Sequence, residues 1–297
     1  MATVKLGSKA VGSIVKIGVK GSTREFIVVH QGLPSNMYDA SCNGTWLLLK
    51  DIYETKAWHS SNVNDYANST VHSYLSNTFL NLIDVNIRAQ IKQAKIPYRP
   101  GSGTSQTVNS GANGLSAKIF LLSDREVGYT QSNVNQYIVN DGAKLSYFQD
   151  GNGTTEKIAK PNGSAAFWWL RSPYTRGSTG AWLVRSDGSA YDGSCSGTGG
   201  ARPALILPST LLVSDDGSVN TNRPRQRHQV SASPAASTEA ALSRYLGVQA
   251  PIRRVIWQAM RLSAAPMAVH LGNRFTMALR KASAIMLPSG RRVLSTA

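Results

Sequence analysis

Nine residues between Pro173 and Cys195 carry side chains able to hold a ligand: Tyr174, Arg176, Ser178, Trp182, Asp187, Ser189, Tyr191, Asp192 and Ser194. Rings stack, hydroxyls and carboxylates hydrogen-bond, and the interspersed glycines let the backbone adapt, which is the chemistry of an adaptable binding face. All nine are expected to contact ligand, although an ordinary polar loop has the same composition. The flanking Trp168, Trp169, Arg171 and Arg202 are expected to be structural. Adjacent tryptophans in a strand point to opposite faces, so one fills the core and the other packs beneath a loop. A guanidinium taken into the interior needs a carboxylate or several carbonyls around it.

Residue patterns that catalyse are missing. His30, His59 and His72 form no HExxH or His-x-His arrangement, and the chain has no GxSxG elbow or P-loop. Asp215-Asp216-Gly217 reads as a turn, because calcium needs further acids at ligand spacing. Cys42 and Cys195 are too few and too far apart for a disulfide framework or a zinc site, and read as two buried thiols. No enzymatic activity, cofactor or metal is expected.

The elements that must position these groups are short. Ser13 to Val19 and Glu25 to Val29 flank the turn Lys20-Gly21 and predict a β-hairpin. Trp46 to Leu49, Ala117 to Leu122, the strand at 182 to 185 and Ala204 to Leu207 predict further strands. Ser69 caps a predicted helix with Val71, Tyr74, Leu75 and Phe79 on one face, and Asp84 caps another with Ile83, Ile87 and Ile91. Ser123 caps a helical turn in SDREVG. Residues 99 to 114 form a long Gly/Ser/Thr/Asn loop of the kind that carries function. The expectation is an α+β domain with a small antiparallel sheet and two helices.

Composition divides the chain in two. The 297 residues carry a net charge of +16 and are 41% hydrophobic, enough for a real core. Residues 223–297 hold eleven Arg and one Lys against Glu239 alone, a net of +11, whereas residues 1–222 hold 20 basic and 15 acidic residues, a net of +5. The basic character therefore belongs to the tail and gives the first part no nucleic-acid signature. No apolar run of spanning length occurs, and the opening MATVKLGSKAVGSIVKIG alternates where a signal peptide would be continuously apolar.

The elements EFIVVHQG, YDASCNGTWLLLKDIYE, YLSNTFL, IKQAKIPYR, GANGLSAKIFLLSDREVG, WWLRSP and RPAL together resemble a domain family of unknown function found in bacterial and phage proteins. The resemblance covers about residues 10 to 215. More distantly, that family is similar to the C-type-lectin and formylglycine-generating-enzyme group, in which a small mixed sheet supports a loop-rich ligand face. The resemblance implies a C-type-lectin-like, non-enzymatic recognition domain at 1–215, followed by a linker at 216–222. Formylglycine-generating chemistry would need a cysteine pair near the C-terminal end, where only Cys195 stands. The implied setting is a phage or prophage tail protein, on the virion or at a cell surface, that binds a host-surface glycan or protein through the 99–114 and 174–196 loops. A homo-oligomer or other tail proteins are further implied partners; a bacterial adhesin and a structural virion protein are the alternatives.

As written, the tail has a basic amphipathic stretch at 251 to 287 suited to a membrane surface or nucleic acid. A shifted reading frame explains its composition better. With one base restored near Arg223 and permitted wobble bases, residues 223 to 272 read as a proline-rich linker followed by SWGAS, DPEGN, YALERS and DGGSSW, which resembles a fibronectin type III domain. The tail is therefore expected to be disordered or only locally helical.

Overall fold

Lys20 and Gly21 turn the chain back on itself, and both sit at positive φ (51° and 70°). Two-residue hairpin connections need that geometry to match strand twist. The strand Ile14–Val19 consequently pairs antiparallel with Ser22–Gly32, from Ile14 opposite Ile27 to Val19 opposite Ser22. The computed structural model describes residues 3–101, 107–134 and 138–220. The expected disordered or locally helical tail at 223–297 lies outside these residues, as does the centre of the 99–114 loop.

Two five-stranded sheets form the frame. The first runs Ile14–Val19, Ser22–Gly32, Gly44–Leu49, Ala204–Leu207, Ile119–Phe120, with every neighbour antiparallel. The second runs Ala190–Ser194, Gly180–Val184, Trp168–Pro173, Thr198–Ala201, Glu54–Ala57. Its pairs are antiparallel except the third with the fourth, where Gly200 faces Trp168 in parallel. Among the described residues the fold is mixed α and β but mostly β, and larger in sheet than the single small sheet expected.

The central strands of these sheets are buried on both faces. In the first, Val15, Ile17, Phe26, Val28, Leu47, Leu49, Leu205 and Leu207 enter one core, while Ile27, Val29, Trp46, Leu48, Ala204 and Ile206 enter a second. Strands covered on both sides lose the apolar-polar alternation, which is why Trp46 to Leu49 is continuously apolar. Trp169, Ala181 and Leu183 of the second sheet join the first core; Trp168, Leu170, Trp182 and Val184 join the second.

The helical run begins where Ser69 Oγ accepts from His72 N at 3.1 Å. It passes through an α-turn (Thr70–Ser73), a π-helical stretch (Tyr74–Phe79) and another α-turn (Leu80–Leu82). Val71, Leu75 and Phe79 bury into the first core, and Tyr74 remains partly exposed under the Lys56 ammonium at 4.6 Å. Ile83, Ile87 and Ile91 join the same core around the short helix Val85–Arg88. Asp84 does not cap that helix with its side chain; its backbone carbonyl accepts from Ile87 N and Arg88 N instead.

Two boundaries differ from expectation. Residues 115 to 120 change sheets at Lys118: Leu115–Ala117 pairs with Ala94–Ile96, and Ile119–Phe120 pairs with Ala204–Leu207. Residues 216–220, expected to begin a linker, complete a hairpin. Val219–Asn220 pairs with Leu212–Ser214, which pairs with Thr3–Lys5. Asp216 accepts from Ser214 Oγ, Ser218 N and Ser218 Oγ at the turn, so its carboxylate is used within the hairpin. No helix among the described residues is long and apolar enough to cross a membrane.

Candidate functional site

The polar frame around the site begins at Arg171, fully buried on the strand Trp168–Pro173. A guanidinium has five N–H donors, and here each has an acceptor. Nε donates to Pro97 O (3.0 Å), Nη1 to Leu121 O (3.0 Å) and Glu126 Oε2 (2.5 Å), and Nη2 to Glu126 Oε1 (2.7 Å) and Asp141 O (3.2 Å). Glu126 is held in turn by Ser123. Its Oε2 accepts from Ser123 N, and Ser123 Oγ accepts from Glu126 N, a reciprocal capping box. Burial alone would depress the Arg171 guanidinium, but the Glu126 charge and hydrogen bonds raise it.

Arg202 is buried without a carboxylate. It donates to Leu49 O (2.9 Å), Lys50 O (2.8 Å) and Lys157 O (3.4 Å) and lies 4.8 Å from the Trp168 ring centre. Desolvation pulls it down to about 10, so it stays charged at neutral pH. Trp168 and Trp169 are both buried, in different cores, and their indole N–H groups donate to Lys157 O and Lys56 O. Neither packs merely beneath a loop.

The nine expected ligand residues do not form one cluster. Gly180 faces Ser194 and Val184 faces Ala190, so the 174–179 and 194–196 segments share one end of the second sheet while the 185–189 turn lies at the other. At about 3.3 Å per residue a five-residue strand separates those ends by some 13 Å. At the first end, Asn64 Nδ2 donates to Tyr174 O and Gly177 O, and Asn64 N to Ser178 O. Ser194 Oγ donates to Asn62 Oδ1. Arg176 and Ser178 are exposed there. At the other end, Asp187 Oδ1 accepts from Ser189 N and Oγ, which hold its carboxyl below the usual range. Gly188, at φ 81°, closes that turn, with Gly188 N bonded to Arg185 O and Arg185 N to Ser189 O.

Trp182 was expected on the ligand face and is not there. It is fully buried in the second core, with the Tyr174 ring edge-on at 5.5 Å. The strand Gly180–Val184 is covered on both faces, so no side chain pointing to the second core reaches solvent. Asp192, opposite Trp182 across the strand pair, is half-buried.

Of the nine, Tyr191 lies in a surface groove with other exposed apolar surface. Phe167, Leu183, Arg185, Ser186 and Tyr191 line a cavity of ≈ 310 Å³. Phe167 and Tyr191 are 44% and 50% exposed, while Leu183 beneath them is 6% exposed. The Arg185 guanidinium stands 5.0 Å from the Tyr191 ring centre. Ser186 falls within the 174–196 segment expected to bind, though not among the nine residues singled out, and neither Phe167 nor Arg185 was singled out. Phe167 was legible as the one member of the FWW block that precedes the buried strand. Arg185 and Ser186 follow it at the far end of the next strand, and only the pairing of Leu183 with Tyr191 brings them together.

Cys42 and Cys195 are buried, unpaired thiols. Burial pushes them up to about 11 and about 12, which keeps both protonated at neutral pH. Among the described residues no group of three or more His, Cys, Asp or Glu side chains is placed to hold a metal ion.

One family model, described as "Domain of unknown function (DUF6273)", matches residues 43–209. That span contains the whole second sheet, the buried Arg99, Arg171 and Arg202, and the groove. No curated protein and no solved structure matches the chain.

Proposed function

The chain belongs to the DUF6273 family, and on that premise we propose that it is a non-enzymatic recognition domain of a phage or prophage tail-associated protein, binding a host-surface glycan in the Phe167–Tyr191 groove. The observation that carries the reading is the pair of half-exposed rings standing over buried Leu183 on a sheet whose other apolar side chains are covered. Sugar rings stack their C–H faces on such aromatics, and Arg185 and Ser186 supply hydrogen bonds to hydroxyls or an acidic group. The groove volume of ≈ 310 Å³ stands at the lower end of small-ligand sites, which run from about 300 Å³ upward. The occupant is therefore a terminal saccharide unit, or a single side chain if the host ligand is a protein.

The tail-protein setting and the C-type-lectin-like kinship rest on the sequence resemblance. A loop-rich, mostly antiparallel domain whose strands position exposed aromatics is compatible with both. Binding of the full chain to a glycan array and to host cells tests the reading. Tyr191→Ala and Phe167→Ala are each expected to weaken a detected interaction about tenfold or more, as truncating an aromatic anchor does, while melting temperature stays near the parent value. Unchanged binding by both folded variants sinks the assignment of this groove. Silence on glycans and cells, with assembly into particles, would favour a structural role.

A further inference from the structure

Asp124 and Asp141 are both fully buried, and the Ser172 hydroxyl joins them. Asp124 N donates to Ser172 Oγ at 2.9 Å, and Ser172 Oγ donates to Asp141 Oδ2 at 2.8 Å. Asp124 Oδ1, Asp124 Oδ2 and Asp141 Oδ1 are buried, and none of them has a hydrogen-bond partner among the described residues. Asp124, through its backbone N–H, and Asp141, through its carboxylate, meet the same Ser172 hydroxyl, and the charge of Asp141 disfavours ionisation of Asp124. Among the described residues, the charged groups acting on the pair are Arg99, Arg171 and Glu126, with the Tyr129 phenol near Asp124. Arg171 and Glu126 cancel as a bidentate pair. Arg99 then balances one of two remaining carboxylates, leaving one buried negative charge in excess. A proton removes that charge at far lower cost than burying it bare.

We propose that Asp124 and Asp141 hold one proton between them in the folded domain at neutral pH, and that this proton latches the 123–126 turn to the strand Trp168–Pro173 through Ser172. In the unfolded chain both acids ionise near pH 4. The folded state thus binds about one proton more than the unfolded state above that pH, and stability falls as pH rises until the latch ionises. Burial raises both carboxyls, in agreement with that sign. Carboxylates held low, such as Glu25 and Asp187, give the opposite slope, and only in the acid range. His30 and His72, depressed by burial, oppose it as pH rises through their range.

Infrared spectroscopy of the full chain at pH 7 tests the proposal directly. A carboxylic-acid carbonyl band is expected, sensitive to deuterium exchange and lost in Asp124→Asn or Asp141→Asn. Denaturant titrations between pH 5 and 8 supply the second readout. The unfolding equilibrium constant of the parent should rise up to about tenfold per pH unit relative to either Asn variant, the slope of one proton. A folded parent with no acid band at pH 7 overturns the proposal even if neither variant folds. So does a parent-minus-variant difference that is flat with pH. A melting temperature lowered by a chelator and restored by a cation also overturns it, because a bound ion would then carry the balancing charge.

Discussion

Glu126 accepts from four buried donors: Arg171 Nη1 and Nη2, Tyr38 Oη and Ser123 N. Replacing it with Gln keeps volume and shape, so no cavity forms and only charge and donor–acceptor matching change. Either amide orientation sets an NH₂ against a guanidinium nitrogen, and the Arg171 charge stays buried without its counter-ion. Removing one partner of a buried pair costs about 3–5 kcal/mol, a large share of the 5–15 kcal/mol or so that holds a domain folded. With a urea slope of about 3 kcal/mol/M, the midpoint of Glu126→Gln should fall by about 1 to 1.7 M. Unfolding is followed through the buried tryptophans at 46, 58, 168, 169 and 182. Glu25→Gln is the internal control. Glu25 meets Lys50 at 2.6 Å, close to the 2.5 Å of Arg171 to Glu126, but both its partners are solvated. Its loss should stay within about 1 kcal/mol. If the two variants shift the midpoint equally, burial is not what gives the Arg171 pair its weight, and the reasoning fails.

Two further outcomes follow from close packing and from thiol burial. A Cβ at Gly199 would sit 2.6 Å from Trp169 Nε1 and 2.9 Å from Phe167, so Gly199→Ala should lower stability by about 1–3 kcal/mol through overpacking; a melting temperature within a degree or so of the parent would refute the contact. Cys42 and Cys195, raised by burial to about 11 and about 12, should resist iodoacetamide at pH 8 in the native chain and react together on unfolding. Mass spectrometry reads both, and rapid native alkylation of either would contradict its buried setting.

Local signals in the sequence were enough at several places where a few adjacent residues decide the conformation, though not at Asp84. Lys20-Gly21 made a hairpin, Ser69 capped a helix, and Ser123 anchored the 123–126 turn. They were insufficient where pairing between distant segments decides. Trp182, at the start of an expected strand, was assigned to the ligand face among its polar neighbours, but that strand is buried on both sides by segments far away in sequence. Glu126, Asp124 and Asp141 were unremarkable as isolated acids. They matter because Arg171 and Ser172 arrive between them from the second sheet. Asp187 and Ser189 had the chemistry of ligand contacts and use it on their own turn.

The positions of Phe167 and Tyr191 connect that frame to binding. Phe167 immediately precedes Trp168, whose ring carries the Arg202 guanidinium and whose N–H is fixed on Lys157 O. Tyr191 is paired with Leu183, which is paired with Trp169 on the strand that Arg171 anchors. The groove is therefore built at strand level, one residue or one pair from fully buried groups, and not on the adaptable 174–179 segment. A ring held this way loses little conformational freedom when a ligand stacks on it, so more of the contact energy appears as affinity. If the groove binds as proposed, Arg171 and Arg202 would act on recognition through that rigidity without contacting the ligand themselves. On that reading the strands would fix where a ligand stacks, the Arg185–Ser186 turn would supply its polar contacts, and the 174–179 segment at the other end of the sheet could vary without moving the rings.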